Sequence, residues 1–414
     1  MSFREFINQI AGDGLLVEVP ERVSPKLEAA AIAKRGCATL FHDVEGSKVV
    51  MNLLGSRDIL AKALKIPKNE IAKKLSKIKC GKVIVTDDDM CLDEISKPDL
   101  SKLPILTHFK GERPYITSGV VISRLNGVQN ASIHRLMVLS KTELVARLVP
   151  PRHTYTMHQK ASQRDEPLPV AIAIGMDPIT LFASCTRVPV GKEFNYASAL
   201  KGEPIKLMRC ENGVEVPDAE IVLEGYIHPT KRAKEGPFVD ITGTYDLVRE
   251  EPVIDLTRMM HRSDPIYHGI IPSGNEHRLL MGVPYEPSMY KAIGSVTKVK
   301  NVVLTEGGCC YLHAVVQIEK QNESDGKKAI MMAFAAHTSL KHVVIIDDDI
   351  DIFDPIEVEY AIATRVRGDR DILILPNVRG SSLDPCCTSD GMSTKVGIDA
   401  TKTLESPERF ERVF

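Results

Sequence analysis

Ser118-Gly-Val-Val-Ile-Ser-Arg-Leu125, Ser132-Ile-His-Arg-Leu-Met-Val-Leu139 and Glu143-Leu-Val-Ala-Arg-Leu148 are three runs dense in aliphatic and β-branched residues, separated by turn-forming residues. Branched side chains pack well on a pleated surface, so each run predicts a strand. Runs of the same kind recur at 168–174, 205–209, 220–227 and 241–248, which predicts a mainly β domain over residues 105–295. A sheet of that size has edges to protect, and closure or near-closure into a barrel protects them.

The flanks read differently. Residues 1–104 alternate helix and strand: 3–10 has helical periodicity, 15–19 is extended, and Ser24 is placed to cap a helix over 27–33. Pro98, Pro104 and Pro114 punctuate the passage into the β domain. Over 296–414 the α/β rhythm returns, with strands at 302–305, 311–318, 342–346 and 372–375 and helices at 327–336 and 356–366. The last strand, helix and strand of that series predict a right-handed βαβ unit. The tail from Gly380 is small and polar, then charged, and is expected to reach over another domain or a neighbouring subunit. Three domains suit 414 residues, more than one hydrophobic core supports.

With 43% hydrophobic and 26% charged residues the chain has an ordinary soluble composition. A net charge of -2 gives no electrostatic case for nucleic acid or an acidic membrane. No apolar run approaches the roughly 20 residues that span a bilayer, and Met1-Ser-Phe-Arg-Glu-Phe6 lacks the features of a signal peptide, so a cytoplasmic location is expected. The nine cysteines include no C-x-x-C pair and are read as reduced thiols. The vicinal pairs Cys309-Cys310 and Cys386-Cys387 fit small buried hydrophobes better than redox or soft-metal sites.

Asn130, His153 and Glu193 offer a carbonyl oxygen, an imidazole and a carboxylate, a reasonable partial shell for manganese or magnesium. Spacing alone does not bring them together, and a histidine after Pro-Pro-Arg is more often a surface or hydrogen-bonded residue. Glu235 and Asp240 flank Gly236-Pro237, a turn able to hold two carboxylates at a set separation. If Arg135 reaches Glu235, that carboxylate stays ionised, while an unpaired, partly buried Asp240 becomes a proton donor. Two solvated carboxylates in a turn is the competing reading. Lys395, among small residues in Gly391-Met-Ser-Thr-Lys395, suits a phosphate, whereas Gly191-Lys192 lacks the remainder of a P-loop. The acidic runs Asp87-Asp-Asp89 and Asp347-Asp-Asp-Ile-Asp351 lack EF-hand spacing, and the second is expected to be structural.

Taken together, Asn130-Ala-Ser-Ile-His-Arg135, Arg152-His153, Lys192-Glu-Phe-Asn-Tyr-Ala197, Glu235-Gly-Pro-Phe-Val-Asp240 and Lys395-Val-Gly-Ile-Asp-Ala400 resemble, in order, the UbiD-type decarboxylases. The resemblance covers roughly 105–402 and implies a flavin-reductase-like split β-barrel flanked by N- and C-terminal α/β domains, the latter driving a homodimer or higher oligomer. It implies prenylated FMN made by a separate flavin prenyltransferase, anchored through Mn2+ or Mg2+ on Asn130, His153 and Glu193, with K+ nearby. Ile133, His134, Arg135, Arg152, Ser184 and Lys395 would contact the cofactor. Arg135, Glu235 and Asp240 would form the catalytic network, Asp240 returning a proton after carbon dioxide leaves.

Within that family the compact chain, with no Trp and 5% aromatics, is similar to the archaeal branch that converts trans-anhydromevalonate 5-phosphate to isopentenyl phosphate in a modified mevalonate pathway. A phosphorylated enoic acid needs extra cations, for which His134, Arg152, Lys231, Arg232 and Lys234 are placed. A 4-hydroxybenzoate or polyprenyl-hydroxybenzoate decarboxylase is the alternative within the class, and a flavin reductase-like redox protein the alternative outside it.

Overall fold

The structure, a computed structural model, describes residues 1–33, 36–86 and 92–413; Asp87-Asp-Asp89 and Cys91 lie outside them. The chain forms two compact units, Met1–Lys65 with Ile78–His277, and Ile66–Lys77 with Arg278–Phe414. No helix among the described residues is long and apolar enough to cross a membrane.

The first unit is built on a nine-stranded sheet. Its order is Tyr115–Ile116, Leu136–Val138, Glu143–Ala146, Arg249–His261, Ile221–Glu235, Leu168–Ile174, Val120–Leu125 and Val128–Ile133, with Glu94–Ser96 beside Arg249–His261. All these pairings are antiparallel. The run expected as one strand over 132–139 is two. Asn126 (φ 51°) and Gly127 (φ 78°) make a two-residue hairpin turn that pairs Leu125 with Val128, and the returning strand ends at Ile133. Only His134 and Arg135 then separate that strand, the last in the sheet order, from Leu136–Val138, the second. The strand expected over 241–248 is also displaced. Phe238–Val239 and Tyr245–Asp246 form a small ladder, and the long strand begins at Arg249.

In the N-terminal segment the helix Phe3–Gly12 opens with a capping box. The Ser2 hydroxyl accepts from the Glu5 N–H and the Glu5 carboxylate accepts from the Ser2 N–H, while Phe3, Phe6, Ile7 and Ile10 turn inward. Ser24 does not cap the next helix, which starts at Glu28. Leu27 is left-handed (φ 71°), and the Ser24 hydroxyl accepts from the Lys26 N–H. Strands Leu16–Val23, Ala38–Val44 and Ser47–Met51 are completed by Ile266–Gly269, parallel to Ser47–Met51, so a segment distant in sequence closes the N-terminal sheet.

In the second unit the sheet order is Lys298–Leu304, His313–Glu319, His342–Ile346, Met392–Ala400 and Ile372–Arg379. This corrects the expected βαβ unit. His342–Ile346 pairs in parallel with His313–Glu319 and Met392–Ala400, whereas Ile372–Arg379 is an antiparallel edge strand. The tail returns to its own unit, where Arg412 makes a bidentate pair with Glu357 (2.9 and 2.8 Å) and lies over Tyr360.

The second acidic run is structural. Arg365, its side chain 1% exposed, donates to Asp347 at 2.8 Å and to both oxygens of Asp349 at 3.0 and 2.8 Å. Arg365→Leu strands these carboxylates, although Lys402 still holds Asp349 at 2.7 Å. The expected loss of stability is about 2–3 kcal/mol, read as a lower urea midpoint; an unchanged midpoint would refute it. The cysteines of this unit are free, with Cys309 and Cys310 both left-handed (φ 57° and 51°) and Cys310 buried.

Candidate active site

Asn130, Ser132 and His134 alternate onto one face of the chain as the Val128–Ile133 strand runs out. The buried Thr154 hydroxyl lies 3.0, 3.1 and 3.3 Å from their polar atoms. With its amide nitrogen engaged by Thr154 and Ser132, Asn130 presents its carbonyl oxygen to His153 Nδ1 at 2.9 Å. Glu193 Oε1 lies 3.8 Å from the same nitrogen. His153 and Glu193 are the first residues of the helices His153–Ser162 and Glu193–Lys201, so two helix starts meet at His153 Nδ1, beside the carbonyl of Asn130.

The donor set fits a hard divalent cation. Neighbouring ligands around such an ion, each about 2.1–2.4 Å from it, lie on the order of 3 Å apart. Burial, helped by Arg152, holds the His153 pKa below its usual value and favours the neutral imidazole a metal requires. Burial pushes the Glu193 carboxyl up to about 7, against backbone N–H groups that lower it.

The other cluster converges on Arg135, in the two-residue link before Leu136–Val138. Its Nε and Nη2 donate to Glu235 at 3.0 and 2.8 Å, and its Nη1 donates to Asp240 at 3.2 Å. Beneath the guanidinium, 4.6 Å away, lies the Phe238 ring, part of a small apolar cluster with Tyr115, Met137, Val145 and Val253. The Tyr115 hydroxyl donates to Glu235 Oε1 at 2.9 Å. Gly236 holds φ 112°, a conformation that suits glycine, and lets the chain turn between the two carboxylates. Burial opposes the Arg135 charge, but Glu235, Asp246 and Asp240 outweigh it and raise its pKa.

The structure thus brings Asn130, His153 and Glu193 into one group and Arg135, Glu235 and Asp240 into another. One expectation is corrected: Asp240 is not unpaired, since Arg135 reaches it. Two members escaped the sequence reading. Asp246 accepts from Arg135 Nη2 at 2.8 Å, and Tyr115 braces Glu235 from a strand of only two residues. Thr244-Tyr-Asp246, just past the Asp240 turn, was the available signal for the first; nothing marked the second.

Other candidates are placed as follows. Ile133 ends its strand opposite Val120. His134 is buried between the Arg147 carbonyl and Ser132 Oγ, both at 2.9 Å; burial, partly opposed by the Arg147 carbonyl, lowers its pKa, so it is not the extra cation at neutral pH. Arg152 is the exposed residue preceding the His153 helix, and Ser184 is buried with its hydroxyl on the Thr180 carbonyl at 2.9 Å. Lys231 is committed to Glu143 and Asp255, whereas Arg232 and Lys234 are exposed. In the second unit the Lys395 ammonium donates to the carbonyls of Thr338 and Leu340, each at 2.6 Å.

Three profiles of the UbiD 3-octaprenyl-4-hydroxybenzoate carboxy-lyase match consecutive parts of the chain: the N-terminal domain over 7–79, the Rift-related domain over 83–275 and the C-terminal domain over 278–400. The chain belongs to the UbiD family. As a UbiD-family protein it is a decarboxylase. An anhydromevalonate phosphate decarboxylase of Methanosarcina mazei is 62% identical over 100% of this chain and 99% of the relative. A protein of the same name from Methanothermobacter thermautotrophicus is 50% identical over 99% of each. Among solved structures, the UbiD-class enzyme HmfF of Pelotomaculum thermopropionicum in complex with FMN superposes with a TM-score of 0.96 at 41% identity, over 100% of this chain and 97% of that one. An evolved dimeric form of HmfF in complex with prFMN gives 0.91 at 39% identity, over 100% and 96%.

Proposed function

We propose that this UbiD-family chain decarboxylates trans-anhydromevalonate 5-phosphate to isopentenyl phosphate, without net oxidation, in a modified mevalonate pathway. The observation that carries the substrate is the 62% identity, over the full chain, to a relative named for that activity. Prenylated FMN, supplied by a flavin prenyltransferase, provides the electron sink for the carbon–carbon bond cleavage. Asn130, His153 and Glu193 would hold the Mn2+ or Mg2+ that anchors its phosphate, with K+ nearby, and Ile133, His134, Arg135, Arg152 and Ser184 would line its place. In this reading Lys395, in the second unit, would exchange the Thr338 and Leu340 carbonyls for a phosphate.

The chain's own contribution is placement and proton handling. Glu235 fixes the Arg135 plane through two parallel N–H···O bonds, and the buried Tyr115–Phe238 floor excludes water beneath it. Asp240 has one longer bond to Arg135 and one to its neighbour's N–H, so it is the carboxyl able to turn to substrate and return a proton from Oδ2. The split-barrel reading is supported by the two-residue link between the last strand and the second in the sheet order. In this reading the regions 1–104, 105–295 and 296–414 are domains, the last assembling a cytoplasmic homo-oligomer.

The test is carbon dioxide release from trans-anhydromevalonate 5-phosphate and, separately, from 4-hydroxybenzoate. The protein is co-produced with the flavin prenyltransferase and supplied with manganese and potassium. Turnover of the phosphorylated acid alone is expected; turnover of only the aryl acid would overturn the substrate.

A further inference from the structure

We propose that Asp246 is a positioning residue that raises the proton affinity of Asp240 through Arg135, and that Arg249 is its counterweight. This rests on the reading of Asp240 as proton donor. Asp246 lies on the short ladder opposite Phe238. Its Oδ2 accepts from Arg135 Nη2 at 2.8 Å and from Arg249 Nη1 at 2.7 Å, while Oδ1 accepts from the Leu247 N–H at 2.8 Å. One guanidinium therefore serves Glu235, Asp240 and Asp246 together, and a second, from Arg249, touches the cluster at Asp246.

Two guanidiniums facing three carboxylates leave one negative charge in excess when every acid is ionised. In a largely enclosed site, taking up one proton removes that excess. The bonds determine where it goes. Glu235, fully buried, is bidentate to Arg135 and accepts from Tyr115. Asp246 is gripped by two guanidiniums and a backbone N–H. Asp240 has a single contact to Arg135 at 3.2 Å beside the N–H of Ile241 at 2.7 Å, and is the most exposed of the three, at 15% against 12% for Asp246 and 0% for Glu235. It is the weakest-held carboxylate and takes the proton. Glu112, which accepts from the Val239 N–H, adds negative charge nearby. His277 borders the Asp240 turn through Ser273, which donates to the Ile241 carbonyl. Lys110 meets Tyr245 only through its backbone carbonyl among the bonds described.

Opposite charge changes must then move Asp240 in opposite directions. Asp246→Asn removes the excess and frees Arg135 for Asp240, so Asp240 loses its proton at lower pH. Arg249→Gln deepens the excess, so Asp240 keeps its proton to higher pH. Two readouts apply: the alkaline limb of the kcat–pH profile of the loaded enzyme, and a pH series of the protonated-carboxyl infrared band, with Asp240→Asn subtracted, which needs neither cofactor nor substrate. Shifts of about one pH unit, down for Asp246→Asn and up for Arg249→Gln, are expected. Shifts of the same sign, or none, overturn the proposal. If Asp246→Asn does not fold, the sign of Arg249→Gln alone decides. Failure of the wild type to release carbon dioxide from the phosphorylated acid refutes the substrate reading and leaves the infrared result to judge this one.

Discussion

Asp240→Asn is expected to keep its flavin and lose turnover by about 10²–10⁴-fold, the range a positioned acid or base contributes. Asparagine has the same shape, and its one side-chain oxygen can keep the bond from the Ile241 N–H that Asp240 Oδ1 accepts, while the single bond from Arg135 Nη1 to Oδ2 is given up. What it cannot do is deliver a proton. Glu235 remains bidentate to Arg135, and Asn130, His153 and Glu193 are untouched, so cofactor retention does not depend on the change. Flavin absorbance of the purified variant and carbon dioxide release under saturating substrate separate the two effects. Turnover near the wild-type rate would remove Asp240 from the mechanism; loss of flavin would make it a binding residue.

Several strands of the first unit were legible, whereas Ala38–Val44, Ser47–Met51 and the long Arg249–His261 were not read from the sequence. Leu168–Ile174 is apolar and almost continuously buried, and composition alone marks it. The misreadings fall where backbone, not side-chain pattern, decides. Asn126-Gly127 is a hairpin signal, yet the polar strand after it, Val128-Gln-Asn-Ala-Ser-Ile133, has little of the aliphatic density that predicts extension, because one of its faces carries the hydrogen-bonded Asn130 and Ser132. Likewise 241–248 has strand-like composition, but the Asp240 turn and the Asp246 ladder consume it in positioning carboxylates. In the second unit the interior strand Met392–Ala400 lies in a segment rich in small and polar residues, and its place between two aliphatic strands is set by long-range pairing that no local window contains.

The candidate site was legible for a different reason. Asn, His, Glu, Arg and Asp suit a metal shell and an ion-pair network, but type alone left His153 a surface residue and Glu235 and Asp240 two solvated carboxylates, and it was the ordered resemblance to the UbiD-type decarboxylases that singled them out. Their bracing was not legible. Thr154, Ser132 and Tyr115 act through single hydroxyls, and a hydroxyl in a sequence is too common to signal anything by itself. The pairing of Asp240 with Arg135 likewise follows from the turn at Gly236-Pro237 folding back over the Phe238 ring, a geometry visible only once the ladder is formed.

Glu193→Gln is expected to abolish cation retention, and flavin with it, while the protein stays folded. The introduced amide would keep one acceptor oxygen among the backbone N–H groups of Glu193 itself, Ala131, Gly191 and Lys192 that surround the native carboxylate. The buried position no longer has to accommodate an anion, so removing the charge does not strand a partner, unlike Arg365→Leu. In the proposed shell the cation, in contrast, would lose its one anionic ligand, with Asn130 and His153 supplying only neutral donors. Losing an outer-shell partner already costs roughly 10–100-fold in metal affinity, and losing the charged ligand should exceed that. Metal analysis and flavin absorbance of the purified variant, beside an unchanged melting temperature of metal-free protein, would carry the result. A variant that retains stoichiometric manganese and flavin would remove Glu193 from the shell, and with it the argument that the two converging helix starts were built to hold a cation.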